Sequence, residues 1–187
     1  YRVCGMMVLW IREQRFSLRA PDAQKGDAMQ QVHPFPPVVD AGCHTLILGS
    51  FPSVKSRENA FYYGHSQNRF WRVLGAVLSS QTPQTIEEKK KLLLENHIAI
   101  WDVISQCDIA GSSDSSIKNV VPADIGRVLK NSNIKKIYAN GNTAKKLYDK
   151  YVLPKVHIEI EGLPSTSPAN AGYSLERLVE SWKVIKA

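Results

Sequence analysis

The sequence predicts an α/β fold, a single three-layer α/β/α domain around a mainly parallel four-stranded sheet. Two observations lead to this prediction. Short apolar segments that suit buried strands alternate along the chain with segments whose apolar residues repeat at helical spacing. Such alternation is typical of a parallel sheet that is covered by helices on both faces. The length of 187 residues suits one domain with a sizeable core.

Four segments predict the strands and five predict the helices. Apolar strands are expected at 44–50, 98–104 and 134–140, and an alternating edge strand is expected at 155–162. The first helix is expected within 67–80, because its apolar residues form a helical stripe at 70, 71, 74, 77 and 78. The other helices are expected at 85–97, 122–132, 142–152 and 174–185, with Pro122 in a first helical turn. The polar segment 105–119 predicts a loop.

The two ends of the chain are expected to differ in structure. Residues 29–187 are expected to form the folded domain, because the segment that begins at Met29 reads as a natural domain start. Residues 1–28 are interpreted as an N-terminal extension outside the fold. The apolar segment 3–11 in this extension is too short to span a bilayer, so no membrane association is expected.

Charge and cysteine usage limit the class of protein. The net charge of +7 is compatible with a polyanionic partner such as nucleic acid, and equally with a solvated basic surface. The three cysteines, Cys4, Cys43 and Cys107, are far apart in the sequence and form no metal-binding motif. No disulfide framework is implied, which favours a cytoplasmic, reducing environment.

Functional residues are expected where the parallel strands end, because ligands of such folds bind beyond the carboxyl ends of the strands. This rule selects the loops 49–68, 102–121, 140–142 and 162–173. The turn at 49–53 can bind an anion or a base edge through backbone N–H groups, or it is a plain turn. The hydroxyl-rich segment 164–168 either grips phosphates or merely connects two elements. No cluster of metal ligands is visible, and no metal or cofactor is expected.

The loop that precedes the first helix contains the most informative side chains. Asn68 stands at the expected helix start, where it is either an N-cap or an amide that orients a water or binds a base. Phe61, Tyr62 and Tyr63 suit base stacking if exposed, but one or two of them are expected to cover the core. His65 is either a structural hydrogen-bonding residue or part of the site.

Two carboxylates and one amide complete the set of loop candidates. Asp102 and Asp114 are the only loop carboxylates of interest, and a local hydrogen-bonding role is favoured over catalysis for Asp102, which ends a strand. Asn140 and Gly141 form a common turn pair, so a turn is favoured there over a functional role.

The segment "LILGSFPSVKSRENAFYYGHSQNRFWRVL" at 46–74 closely resembles the first motif region of the uracil-DNA glycosylase superfamily, and best its hypoxanthine-DNA glycosylase branch. The segments "NGNTAKKLY" and "LPSTSP" resemble later motifs of the superfamily and occur in the same order. The chain departs from the wider pattern at Phe51, where other branches carry a water-activating Asp or Asn. Leu163 replaces a His or Asn, and Ser167 replaces a Leu wedge.

The resemblance implies a monofunctional DNA glycosylase of base-excision repair that hydrolyses the N-glycosidic bond of a flipped-out deaminated base, hypoxanthine above all. It implies a monomer that acts on double- or single-stranded DNA. Two alternatives stay open, a uracil or thymine mismatch glycosylase and a non-catalytic nucleic-acid-binding module. The catalytic amide maps to Asn68, and Tyr63 maps to an aromatic that stacks on the base. The implied base pocket comprises Gly49, Ser50, Phe51, Pro52, Tyr63, His65 and Asn140. The implied DNA contacts are Ser53, Lys55, Arg57, Gly141, Lys145, Ser165, Thr166, Ser167 and Pro168.

Overall fold

The structure, a computed structural model, describes residues 28–186. The predicted N-terminal extension, with Cys4, therefore lies almost entirely outside the described residues. The strands are β1 (Met29–Val32), β2 (Thr45–Gly49), β3 (Ile98–Asp102), β4 (Ile104–Ile109), β5 (Lys118–Pro122), β6 (Lys136–Asn140) and β7 (Ile160–Leu163). The α-helices are α1 (Val54–Glu58), α2 (Phe70–Val77), α3 (Ile86–Glu95), α4 (Ile125–Lys130), α5 (Asn142–Tyr151), α6 (Leu153–Val156) and α7 (Leu175–Trp182).

The predicted four-stranded parallel sheet is confirmed, with the strand order β3-β2-β6-β7. Every residue of β2 is buried, as expected for a central strand that is covered on both faces. One face packs against α2, α3 and α7 through residues such as Phe70, Leu93 and Trp182. The other face packs against α4, α5 and α6 through residues such as Ile125 and Tyr148. The three-layer arrangement is therefore present.

A second sheet was not predicted from the sequence. Strands β1, β4 and β5 form an antiparallel sheet in the order β1-β4-β5, so the prediction of a loop at 105–119 is wrong. The strand predicted at 98–104 ends at Asp102, and β4 begins at Ile104. The small apolar cluster beneath this sheet contains Phe51, Ile104, Cys107 and Ile109. Because only one face of β4 is buried, its sequence is too polar to resemble the strands of the parallel sheet.

Several predicted boundaries also need correction. Pro122 ends β5 rather than beginning a helix, and Asp124 caps α4 by accepting a hydrogen bond from the Arg127 N–H. The segment predicted as an edge strand from 155 begins as the end of α6, and His157 has a left-handed φ of 55°. The edge strand itself is confined to β7. The short helix α1 was not predicted.

The aromatic loop contributes to the core, as expected for one or two of its three aromatic residues. Phe61 and Tyr62 are 5% and 2% exposed and pack in the cluster on the α2 side of the sheet. Tyr62 donates a hydrogen bond of 2.9 Å to the Pro36 carbonyl, which satisfies its buried hydroxyl. Within residues 28–186, no helix combines the length and the apolar character that crossing a bilayer requires.

Candidate active site

The carboxyl ends of the parallel strands bring most of the predicted site together. Gly49 pairs with Asp102 at the ends of β2 and β3, and Asn140 pairs with Leu163 at the ends of β6 and β7. The loops that follow β2, β6 and β7 therefore meet at one edge of the sheet. The loop predicted at 102–121 is largely replaced by β4 and β5, but the segment between these strands reaches this edge, where Asp114 accepts a hydrogen bond from Ser50 and Ser112 accepts one from the Val54 N–H.

Asn68 lies directly before α2, whose N-cap residue is Arg69 and not Asn68, and the protein holds one side of the Asn68 amide. Its Oδ1 accepts hydrogen bonds from the Phe70 N–H at 3.0 Å and from the Thr166 hydroxyl at 2.9 Å. These two donors occupy both lone pairs of the oxygen. The Nδ2 group makes no hydrogen bond with any residue in the described part of the chain. Asn68 therefore stabilises the helix start through its oxygen and retains two free N–H donors.

Thr166 and Asn140 hold the Asn68 amide in its orientation. Thr166 is completely buried, and its hydroxyl accepts a hydrogen bond of 2.9 Å from Asn140 Nδ2 while donating to Asn68. Asn140 Oδ1 accepts a hydrogen bond of 2.9 Å from the Thr166 N–H. Because the donors and acceptors alternate along this chain, the Asn68 amide cannot flip without breaking two hydrogen bonds.

Arg69 ties the start of α2 to the loop between β7 and α7, a role that sequence reasoning missed. Its guanidinium donates hydrogen bonds to the carbonyls of Ser167 at 2.7 Å and Asn170 at 2.9 Å. It also donates to the carbonyls of Thr166 and Tyr173. The sequence offered one indication of this role, an Arg directly after Asn68. A planar guanidinium has several N–H donors and can bind several carbonyls of one loop.

The backbone of the turn after β2 lies at the end of that strand, and the large side chain of the turn, Phe51, is buried. Phe51 is 7% exposed and packs with the apolar cluster beneath the second sheet. Its position at the turn is therefore occupied by an apolar side chain that can neither position nor activate a water. Ser50 donates a hydrogen bond of 2.9 Å to Asp114, and Pro52 accepts one of 2.7 Å from Arg57.

Tyr63 lies with its hydroxyl above the end of β2. Its ring stacks on Phe70 with a centroid distance of 3.9 Å. Its backbone φ of 51° lies in the left-handed region, which costs a non-glycine residue about 1–3 kcal/mol. The hydroxyl is buried close to Asn140, but it meets no described residue at hydrogen-bond geometry. The stack leaves only the opposite ring face for the base stacking that the resemblance implies.

Asp102 and His33 form a buried pair at the end of β3. His33 Nε2 lies 2.9 Å from Asp102 Oδ2, and both side chains are 5% exposed. Asp102 does have a hydrogen-bonding contact, but its partner is 69 residues away in the sequence and not local as expected, and sequence reasoning did not identify His33. His33 follows β1 in a segment that gave no motif, so only the tertiary structure relates it to the site.

His65 and Gly141 shape the loops at this edge. His65 Nδ1 accepts a hydrogen bond of 3.1 Å from the Gln67 N–H, so its ring stabilises the turn before Asn68. Gly141 has a φ of 97°, and a Cβ at this position would lie 3.0 Å from the Ser165 Cβ. Only glycine therefore allows the loop after β7 to approach the start of α5 this closely.

The residues implied as DNA contacts differ in how freely they can reach a phosphate. Lys55 is exposed and pairs with Glu58 at 2.7 Å, a weak contact in solvent. Arg57 binds the Pro52 carbonyl and lies over the Phe51 ring, and burial lowers its pKa. Lys145 pairs with Asp149 at 2.8 Å.

The hydroxyl residues of the implied DNA contacts mostly stabilise their own loops. Ser53 caps α1 by accepting from the Ser56 N–H, and Ser165 accepts from the Ser167 N–H at 3.2 Å. Pro168 is exposed next to them. Among the residues that the structure describes, no group of three or more His, Cys, Asp or Glu side chains could hold a metal ion.

Comparison with known families is consistent with this geometry. The sequence model of the uracil DNA glycosylase superfamily matches residues 36–186, which is most of the chain. The chain belongs to the uracil DNA glycosylase superfamily. The superfamily match includes the ends of all four parallel strands and both partners of the Asn68–Thr166 hydrogen bond.

Two proteins named hypoxanthine DNA glycosylase are similar to this superfamily member. The one from Methanosarcina acetivorans is 35% identical over 153 residues, which are 81% of this chain and 95% of that protein. The one from Methanosarcina barkeri is 40% identical over 87 residues, which are 46% of this chain and 54% of that protein. The solution structure of a candidate uracil DNA glycosylase from Methanosarcina acetivorans has a TM-score of 0.72 at 33% identity, covering 84% of this chain and 98% of the other.

Proposed function

We propose that this protein is a monofunctional DNA glycosylase of base-excision repair that removes hypoxanthine from DNA. Its reaction is hydrolysis of the bond between the deoxyribose C1′ and the base nitrogen. The bonding electron pair leaves with the base, and a water oxygen bonds to C1′. One water proton stays on the new C1′ hydroxyl, and the other reaches the departing base. The products are free hypoxanthine and an abasic site.

The free N–H donors of Asn68 carry this proposal. As the C1′–N bond loosens, negative charge develops on the departing base, and a preorganised donor stabilises that charge. Asn68 presents two such donors at the strand edge, because its oxygen is already held by Phe70 and Thr166. An amide with an occupied oxygen cannot accept a proton from water, so a contact with the base is its stronger role.

The identity of the base is supported by the relatives and by Phe51. Two similar proteins are named for hypoxanthine. The buried Phe51 stands where the mismatch-specific branch carries a polar residue, which disfavours a uracil or thymine mismatch glycosylase. The base must leave the stack to reach a strand-edge site, so the DNA substrate is flipped. We propose that the enzyme acts as a monomer inside the cell, where its buried, free Cys43 and Cys107 stay reduced.

Excision assays separate this proposal from its alternatives. The protein is incubated with duplex and single-stranded oligonucleotides that carry hypoxanthine, xanthine, uracil or a G·T mismatch, and abasic sites are cleaved with alkali. We expect cleavage at hypoxanthine to be fastest, with EDTA present. Faster cleavage at uracil or at the mismatched thymine would overturn the base assignment. Retardation of the same oligonucleotides without any abasic sites would indicate a binding module instead.

A further inference from the structure

A buried hydroxyl and a carboxylate oxygen, neither with a hydrogen-bond partner among the described residues, lie together at the end of β2. Asp102 is 4% exposed, and its Oδ1 makes no hydrogen bond with any residue of the described chain. The Tyr63 hydroxyl is buried and equally unpartnered within residues 28–186. Both atoms lie over the Cα of Gly49, where a Cβ would be 2.2 Å from Asp102 Oδ1 and 3.2 Å from the Tyr63 oxygen. A buried polar atom without a partner is rare, and a ligand bound to this hydroxyl and to the neighbouring carboxylate oxygen is one explanation for it.

His33 determines which carboxylate oxygen remains available. The His33 Nδ1 faces the Phe35 N–H at 3.5 Å, so the proton of the neutral ring is on Nε2. Nε2 then donates to Asp102 Oδ2 at 2.9 Å. The ring is enclosed by Phe35, Phe51 and Tyr62, with centroid distances of 4.6, 6.0 and 6.0 Å. Asp102 is therefore held in one rotamer with Oδ1 as its free acceptor.

The Tyr63 hydroxyl complements this acceptor as a donor. Burial, with the nearby Asp102 charge, raises the pKa of Tyr63, so the phenol keeps its proton at neutral pH. The stack on Phe70 fixes the ring and thus the place of the hydroxyl. The strand edge therefore offers a hydrogen-bond acceptor and a hydrogen-bond donor next to each other, both over Gly49.

An acceptor beside a donor matches a ring N–H beside a carbonyl. Hypoxanthine has this pattern at N1–H and O6, which deamination creates from adenine. Adenine has the reverse pattern, with an unprotonated N1 beside an amino group. We propose that Asp102 accepts from N1–H and that Tyr63 donates to O6, so that this pair selects the deaminated base and rejects adenine. The proposal rests on the proposed function and gives Tyr63 an edge contact instead of the stacking implied by the resemblance.

The Asp102–Tyr63 pair fits bases that carry a ring N–H beside a carbonyl, and it disfavours bases with other hydrogen-bonding patterns. Xanthine and uracil share the N–H and carbonyl pattern and fit the same two atoms. Guanine shares it too, but its N1–H and amino group together suit both oxygens of a carboxylate. Because His33 already donates to Oδ2, only Oδ1 of Asp102 is a free acceptor. Asp102 therefore cannot accept from the N1–H and the amino group of guanine with two separate oxygens. Rejection of adenine is strong, since a site built for hydrogen bonds leaves its buried groups unpaired with the wrong base.

Three variants test this assignment on duplexes that carry hypoxanthine or adenine at one position. Tyr63→Phe keeps the ring and its stack but removes the donor. We expect it to slow single-turnover excision of hypoxanthine about tenfold. The matched control is Tyr62→Phe, which removes the neighbouring buried hydroxyl that binds the Pro36 carbonyl. We expect it to lower the melting temperature slightly and to leave the excision rate unchanged.

Asp102→Asn tests the acceptor, because an amide can offer its N–H to adenine N1. We expect this change to slow hypoxanthine excision at least about tenfold and to reduce the preference for hypoxanthine over adenine about a hundredfold. An unchanged rate in Tyr63→Phe, or an equal loss on both bases in Asp102→Asn, would overturn the assignment. A wild-type protein that excises no deaminated base would instead overturn the proposed function itself.

Discussion

The Thr166 hydroxyl donates a 2.9 Å hydrogen bond to Asn68 Oδ1, and this contact joins two segments that are 98 residues apart in the sequence. Because of this hydrogen bond, the oxygen of the Asn68 amide faces the protein and its NH2 group remains free. The orientation matters because the two ends of an amide have opposite hydrogen-bonding character. Thr166 is thus the residue through which the loop after β7 determines what Asn68 can do.

Removal of the Thr166 hydroxyl therefore tests the orientation of Asn68. Thr166→Val keeps the shape of the side chain but leaves the Asn68 oxygen and the Asn140 amide each without one partner. We expect a loss of about 1–3 kcal/mol in stability and a fall of at least about tenfold in the excision rate. Thr166→Ser retains the hydroxyl and is expected to restore most of the rate. If Val and Ser variants excise equally fast, Thr166 does not position the amide.

Arg69 is expected to control the loop that carries Thr166. Arg69→Met removes its hydrogen bonds to the Ser167 and Asn170 carbonyls. We expect faster backbone hydrogen exchange at 165–173, weaker DNA binding and slower excision. The neighbouring Arg72→Met is the matched control, because Arg72 is exposed on the same helix. Equal exchange rates in the two variants would contradict this role.

Contacts with DNA phosphates make affinity depend on salt. Among the basic residues implied as DNA contacts, Lys55 is the most available, since its exposed partner Glu58 contributes little. We expect Lys55→Met to weaken binding to all DNA sequences and to reduce the slope of log affinity against log salt by about 1. Arg57→Met should mainly lower stability, since Arg57 binds the Pro52 carbonyl. An unchanged salt slope for Lys55→Met would remove Lys55 from the DNA interface.

The proposed domain boundary is tested by a chain that begins at Met29. β1 begins at this residue and pairs with β4, so the shortened chain keeps both sheets intact. We expect it to melt within a few degrees of the full chain and to excise hypoxanthine at the same rate. A large drop in melting temperature would show that part of residues 1–28 packs on the domain.

The parallel sheet and the strand-edge loops could be predicted because local sequence determines them. A mostly apolar strand such as β2 and the helical stripe of α2 are visible without knowledge of the rest of the chain. The second sheet could not be predicted in this way, since β4 buries only three of its six residues, at irregular spacing, and depends on β1 and β5 for its pairs. Strand pairing between distant segments leaves little signal in any one of them.

The same limit applies to the site. Asn68 could be selected because its motif is continuous in the sequence. The orientation of its amide depends on Thr166. The orientation of the Asp102 carboxylate depends on His33, which lies 69 residues earlier in the sequence. Such contacts arise only when the strands bring their carboxyl ends together, so neither Thr166 as a positioning residue nor His33 could be recognised beforehand.

The central claim is that the free N–H donors of Asn68 stabilise the departing base. Asn68→Ala removes them together with the oxygen that accepts from Phe70 and from the buried Thr166 hydroxyl, which should cost about 1–3 kcal/mol of stability. Asn68→Asp keeps an oxygen for Phe70 and Thr166 but replaces the donors by a negative charge that repels the leaving base. It should therefore fold well and have low residual activity.

Single-turnover excision on a hypoxanthine duplex, with melting curves and DNA binding measured beside it, tests this claim most directly. We predict that Asn68→Ala binds DNA and folds almost normally but excises about 10²–10³ times more slowly than the wild type. Excision by Asn68→Ala at the wild-type rate, at a temperature where it is folded, would contradict the account.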